Sequence, residues 1–139
     1  MKLKLTVKVC LLISIFLSFS FLSCNKETKE SSYRLSGIVE KNDVNDGNIV
    51  YLKLALEGAA STDNGLYATD ASFSAGKATF SVTGIKNRSY TLYAFIDMNG
   101  NASGTDSASP DTGDFVTEIN VNIDSDKTID LPDNYWVVY

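Results

Sequence analysis

The sequence of 139 residues contains no histidine, only two cysteines and two prolines, and a single tryptophan. Without histidine, the chain lacks the commonest general base and a common ligand of zinc. None of its serines lies in the Gly-x-Ser-x-Gly motif of a hydrolase nucleophile. The remaining catalytic alternative is a carboxylate pair that hydrolyses a glycoside, Asp97 with Asp106 or Asp114. We expect a non-catalytic protein, because a fold of this size offers little cleft for a sugar chain.

Positive charge is also scarce, and none occurs from Ser89 to Asp126, a span with seven acidic residues. The formal net charge of the whole chain is −5. Three of the 12 basic residues precede position 9 and all 17 acidic residues follow position 24, so a chain that begins at Cys24 has a charge of −8. Such a charge argues against nucleic acid as a partner and against electrostatic binding to anionic lipid.

The first 23 residues differ in composition from the rest of the chain. Three lysines at positions 2, 4 and 8 precede an apolar run from Val9 to Leu22, and Ser23-Cys24 follows. This order is typical of a secretory signal peptide, and the apolar run is short for a membrane span. Residues 1–23 are therefore predicted to be a signal peptide, with an uncleaved anchor helix as the alternative.

The junction Phe21-Leu22-Ser23-Cys24 resembles a bacterial lipobox, in which the cysteine becomes the lipid-modified first residue. Cys10 lies inside the predicted signal, so Cys24 would be the only cysteine of the mature chain. The resemblance implies acylation of Cys24, for example by palmitate, and attachment to the outer membrane of a bacterial envelope through more than one acyl chain. A secreted protein with a free thiol is the alternative. Residues 24–32 would form the lipidated cysteine and a polar, flexible tether.

Alternation of apolar and polar residues predicts strands over most of residues 33–139. In Lys77–Thr83, for example, Ala78, Phe80 and Val82 fall on one face, and Phe115–Ile123 alternates equally well. The Asp46-Gly47 dipeptide predicts a hairpin, and Gly37 is a candidate bulge in the first strand. No helical spacing is present after the signal. Seven or eight short strands predict an all-β, antiparallel Greek-key β-sandwich, with a terminal strand at Tyr135–Tyr139.

Two segments carry a resemblance to a known family. ATFSVTGI at 78–85 and RSYTLYAFID at 88–97 resemble the hallmark strands of carboxypeptidase-regulatory-like, transthyretin-like domains. Such domains in bacterial lipoproteins often continue with Asp-x-Asn-Gly-Asn, as residues 97–101 do here. The resemblance implies a β-sandwich fold but is poorly specific for function.

The acidic loop after the central strand is a candidate cation site. Asp97, Asn99, Asn101 and Asp106 are the predicted ligands, because oxygen-bearing side chains at alternate positions suit calcium. The loop is not an EF-hand, since alanines occupy its sixth and twelfth positions. On this interpretation, Asp97→Ala would remove stabilisation by calcium and leave the calcium-free fold nearly unchanged. The alternative is a solvated polar turn.

These features together predict an envelope-anchored lipoprotein that acts as a non-catalytic binding or scaffolding module. Exposed aromatic rings would favour a surface carbohydrate-binding protein or a protein partner, whereas an unpaired strand edge would favour a structural assembly subunit. The alternative is that most of these aromatic rings are buried in the core. The rings in question are Tyr51, Tyr67, Tyr93, Tyr135, Trp136 and Tyr139.

The lipid anchor can be tested at the predicted acylation site. Cys24→Ser should abolish acylation and move the protein from the membrane fraction to the soluble fraction, because the polar tether and acidic domain have no other means of attachment. Fractionation after a high-salt wash is the measurement. A variant that stays in the membrane fraction would instead identify the apolar segment as an anchor helix.

Overall fold

The structure is a computed structural model that describes residues 31–59 and 65–139. The predicted signal peptide at 1–23, the predicted lipidation site Cys24 and most of the tether at 24–32 lie outside the described residues. Within the two described ranges, no helix has the length and apolar character needed to cross a membrane.

Eight strands and one short 3₁₀ helix make up the fold of the described residues. The helix spans Asp133–Tyr135 and lies between the last two strands. The strands are β1 (Ser32–Glu40), β2 (Ile49–Leu56), β3 (Tyr67–Ser72), β4 (Lys77–Lys86), β5 (Arg88–Asp97), β6 (Phe115–Ile123), β7 (Lys127–Thr128) and β8 (Val137–Val138).

The strands form two sheets, which confirms the predicted β-sandwich. One sheet has the order β4-β1-β7 and the other β3-β2-β5-β6-β8. All pairings are antiparallel except that of β1 with β7, which is parallel. The Asp46-Gly47 turn does not close the predicted hairpin, because β1 and β2 belong to different sheets. It carries the chain from one sheet to the other, and Gly47 adopts a φ of 93° there.

A single hydrophobic core fills the space between the sheets. The predicted inward residues Ala78, Phe80 and Val82 of β4 are buried, and they share one cluster with Leu92 and Ile96 of β5. Alternate residues of β2 and β5 point away from this core. We call the side of the five-stranded sheet that faces away from the core its outer face.

Gly37 has a packing role and is not a bulge. The register irregularity of β1 lies between Tyr33 and Leu35 instead. A Cβ atom at position 37 would lie 1.8 Å from the backbone oxygen of Ile129. Only glycine therefore lets the segment after β7 approach β1 closely enough to pair with it.

The core position of Phe80 yields a stability prediction. Its side chain is 2 % exposed, so Phe80→Ala should lower the free energy of unfolding by about 3–5 kcal/mol through lost burial and a residual cavity. Denaturant melts measure the change. The neighbouring Thr79 is exposed on the same strand, and Thr79→Ala is the matched control, with an expected change within about 0.5 kcal/mol. Equal effects of the two substitutions would contradict this assignment of the core.

Candidate functional site

The loop between β5 and β6, residues 98–114, is organised by two buried carboxylates at its ends. Asp97 is 2 % exposed and Asp114 is 1 % exposed. The Oδ1 and Oδ2 atoms of Asp97 accept hydrogen bonds from the backbone N–H groups of Gly100 (2.7 Å) and Ala102 (3.0 Å). Gly100 has a φ of 73°, which lets the chain turn tightly back toward the carboxylate.

Asp114 joins the two ends of the same loop. Its Oδ1 accepts from the N–H of Met98 at 2.9 Å, and its Oδ2 accepts from the N–H of Asp111 at 3.0 Å. Each buried carboxylate is therefore satisfied by two backbone amides, as burial of a charged group requires.

The four predicted calcium ligands do not all meet in this loop. The amide nitrogens of Asn99 and Asn101 both donate to the carboxylate of Asp111, and the Asn99 Oδ1 accepts from the backbone of Asn101. Asp106 is exposed and contributes none of the hydrogen bonds that organise the loop.

The geometry of the loop does not fit a calcium ion at the predicted residues. The two asparagines direct N–H groups at Asp111, and both oxygens of Asp97 already bind backbone amides. In the described parts of the chain, no three carboxylates, cysteines or histidines are grouped as a metal site would need. This arrangement favours the polar-turn alternative, and calcium binding stays a prediction.

The loop folds over aromatic rings on the outer face of the large sheet. Tyr51 of β2 and Phe95 of β5 stack with their ring centroids 5.0 Å apart, and both are largely buried by Ala102 and Ala108 of the loop. The hydroxyl of Tyr51 donates to the backbone oxygen of Ala102 at 3.2 Å. Burial, followed by the nearby negative charges of Asp97 and Asp70, raises the pKa of Tyr51, so the hydroxyl keeps the proton that it donates.

A groove of about 560 Å³ runs along the outer face beside this loop. Two rows of cross-strand neighbours form its floor. The first row contains Tyr51, Phe95 and Val116 and ends at Val137 of the C-terminal wall, and the second contains Lys53, Tyr93 and Glu118. The groove has the volume of a typical small-molecule site, about 300–1,000 Å³.

One wall of the groove is the β5–β6 loop. Thr105, Ala108 and Pro110 line it on that side. The hydroxyl of Thr105 donates to the carboxylate of Asp70 on β3 at 2.6 Å, which ties the loop to the edge of the sheet. Because Asp97 and Asp114 fix the ends of the loop, they also fix the position of this wall.

The opposite wall is the C-terminal segment, with Tyr135, Val137 and Tyr139 facing the groove. Trp136 inserts into the core between them and is 8 % exposed, although its indole N–H has no hydrogen-bond partner among the described residues. The backbone N–H of Tyr139 donates to the backbone oxygen of Asp114 at 2.8 Å. The two walls therefore meet at Asp114.

An ion pair holds the start of the C-terminal segment. The ammonium of Lys41 lies 2.9 Å from Asp133 and 3.2 Å from Asp43, and 4.4 Å from the centre of the Phe115 ring. The hydrogen bond to Asp133 raises the pKa of Lys41, and the same contact lowers the pKa of Asp133. Both groups therefore remain charged over the neutral range, and the 3₁₀ helix stays attached to the β1–β2 turn.

The structure divides the candidate exposed rings of the sequence analysis into two groups. Tyr51 and Trp136 are buried, and Tyr67 packs edge-on against the core residue Tyr90, with centroids 5.9 Å apart. The other group lines the groove: Tyr93 is half-buried, and Tyr135 and Tyr139 are 46 % and 61 % exposed.

Two parts of the site were missed by sequence reasoning, namely the role of Asp114 and the groove itself. The carboxylate of Asp114 accepts a hydrogen bond from the backbone N–H of Met98, which lies 16 residues earlier in the chain. No local motif in the sequence marks such a contact. The apolar run Tyr135–Tyr139, predicted as a terminal strand but a strand only at Val137–Val138, was the available signal for the groove. Comparison with protein-family models, curated proteins and solved structures found no match to this chain.

The hydrogen bonds that Asp97 accepts from its loop alter the expected effect of Asp97→Ala on stability. Asp97→Ala should destabilise the fold by about 2–4 kcal/mol, because two loop amides lose a charged acceptor. The sequence alone predicted that Asp97→Ala leaves the calcium-free fold nearly unchanged, whereas the structure predicts a loss of stability. Asp106→Ala is the matched control, because Asp106 is exposed, and it should change the free energy of unfolding by less than about 0.5 kcal/mol.

Denaturant melts of both variants, with millimolar calcium and with chelator, measure these effects. Equal stabilities of the two variants would contradict the proposed role of Asp97. Stabilisation of the unsubstituted chain by calcium would show that the loop rearranges to bind the ion.

Proposed function

We propose that the chain is an envelope-anchored lipoprotein whose β-sandwich acts as a non-catalytic binding module, with the groove on the outer face as its binding site. The groove supports the binding part of this proposal, and the sequence of residues 1–24 supports the anchoring part. The groove is a concave surface of suitable volume, lined mostly by aromatic and aliphatic side chains with a few polar groups. That composition is typical of sites that recognise a small molecule.

The construction of the walls supports recognition by a preformed site. The β5–β6 loop is held by four hydrogen bonds to two buried carboxylates, and the C-terminal wall is held by Trp136 and by the Lys41–Asp133 ion pair. A site whose walls are fixed before binding loses little conformational entropy when a ligand enters. Lipid attachment through Cys24 would place this site at the membrane surface.

An assembly subunit is the second candidate function, favoured by the open edge of the large sheet. Strand β8 pairs only with Phe115 and Val116, the first two residues of β6. In the described part of the chain, no strand pairs with the outer edge of β6 beyond Val116. A strand from another chain could extend the sheet there. Concentration-dependent association in sedimentation experiments would favour this candidate.

The groove can be tested with two substitutions in β8. Val137 and Val138 are 61 % and 67 % exposed, but only Val137 lines the groove. Purified protein is screened by thermal shift against oligosaccharides, organic acids and short peptides. A ligand at a hundredfold excess over its Kd should stabilise the fold by about 2.7 kcal/mol.

Val137→Asp should abolish that stabilisation, because it places a charge on the apolar wall. Val138→Asp is the matched control and should retain it. The proposal fails if no compound stabilises the protein, or if both variants respond as the unsubstituted chain does.

A further inference from the structure

Lys53 is a largely buried cation on the floor of the groove. Its side chain lies on the outer face of β2 and lines the groove, yet Lys53 is only 9 % exposed. Gly65 packs against it so closely that a Cβ atom on the glycine would lie 2.7 Å from the Lys53 Cβ. Glycine at position 65 thus lets the chain cover the lysine stem.

The ammonium of Lys53 has no partner within the described residues. No hydrogen bond or ion pair joins it to the two ranges that the structure describes, in contrast to Lys41, which has two carboxylate partners. Its cross-strand neighbours on the same face are Ala68 and Tyr93, neither of which is an anion at neutral pH. The aliphatic stem accounts for the burial of Lys53, whereas the ammonium keeps access to solvent and can pair with an anion that enters the groove.

The other charges near the floor are negative and belong to Glu118, Asp70 and Asp97, of which Asp97 binds the backbone amides of its own loop. Glu118 is the cross-strand neighbour of Tyr93 on β6. The backbones of Glu118 and Lys53 are therefore two strand spacings apart, or about 9–10 Å. Asp70 is opposite Tyr51 in the neighbouring row and accepts a hydrogen bond from Thr105. Lys53 is therefore the single basic side chain that lines the groove among the described residues.

We infer that the groove binds an organic anion with an apolar, ring-bearing body. Its acidic group pairs with the Lys53 ammonium, and its body covers Tyr93, Val116 and Val137. The inference rests on the proposed function, since it names the class of ligand for the same groove. A neutral saccharide, or a peptide without an acidic group, would leave the Lys53 ammonium without a counter-charge.

Two fluorescent probes that share one ring system test the inference. The probes are 8-anilino-1-naphthalenesulfonate, which is an anion, and N-phenyl-1-naphthylamine, which lacks the sulfonate. Lys53→Met keeps the length of the buried stem and removes the charge. It should weaken the anionic probe about tenfold, the scale of a lost ion pair with a partly buried partner, and change the neutral probe less than about twofold.

Three controls accompany this titration. Lys77→Met removes an exposed lysine that pairs with Glu40 on the other sheet, and it should leave both affinities unchanged. Glu118→Gln should change the affinity of the anionic probe by less than about twofold, because solvent and salt screen an exposed charge about 10 Å away. Val137→Asp should weaken both probes while Val138→Asp weakens neither, which places them in the groove. Thermal melts establish that each variant is folded.

A competition experiment separates the ligand class from the properties of the dyes. 4-Phenylbutyrate should displace the anionic probe from the unsubstituted protein, and its neutral amide should not. Equal displacement by acid and amide, or equal weakening of both probes in Lys53→Met, overturns the inference but leaves the groove as a binding site. Affinities that Val137→Asp does not change overturn the proposed function as well.

Discussion

The two carboxylates of Asp97 and Asp114 are the constraint on which the candidate site depends. A loop that covers aromatic rings must satisfy its backbone amides without the hydrogen bonds of a sheet. These side chains, at the end of β5 and just before β6, accept four of those amides. The charge of each carboxylate is stabilised by the same contacts, so the carboxylates and the loop depend on each other.

Asp114 also connects the loop with the C-terminal wall of the groove. Its side chain accepts from residues at both ends of the loop, while its backbone oxygen accepts from Tyr139. A movement of the loop would therefore displace the C-terminal segment, and the groove would change width from both sides. Trp136 and Lys41 oppose such a movement, because one is packed in the core and the other is paired with Asp133.

Alternation in the sequence predicted the strands and their inward faces, because each face of a strand meets one environment along its whole length. Ala78 and Phe80 in β4 were placed correctly on this basis. The same pattern could not predict which sheet a strand joins. The Asp46-Gly47 turn is suited to a hairpin, but β1 pairs with β4 and β2 pairs with β5, and such pairings depend on contacts distant in sequence.

The candidate site was harder to predict than the fold, for a related physical reason. Alternation correctly places Tyr51 and Lys53 on the outer face of β2, where polar residues normally face solvent. Their burial comes from other segments, the β5–β6 loop over Tyr51 and Gly65 beside Lys53. Likewise, the spacing of Asp97, Asn99 and Asn101 indicates oxygen ligands, but it does not show whether those oxygens meet an ion or the amides of their own loop.

A net charge of −5 is compatible with a groove that binds an anion. The acidic surface repels an anion over long distances, whereas an ion pair with Lys53 would act at short range. Exposed charges are screened beyond about 8 Å at physiological ionic strength, so most of the acidic surface has little effect on a bound ligand. The proposed ion pair with Lys53 would be short and set in a concave surface, so that salt would weaken it less. The acidic surface should therefore slow the approach of an anion, while the lysine slows its departure. Added salt would accelerate association more than it weakens the bound state, which is the opposite of the behaviour of a site that attracts anions by a basic surface.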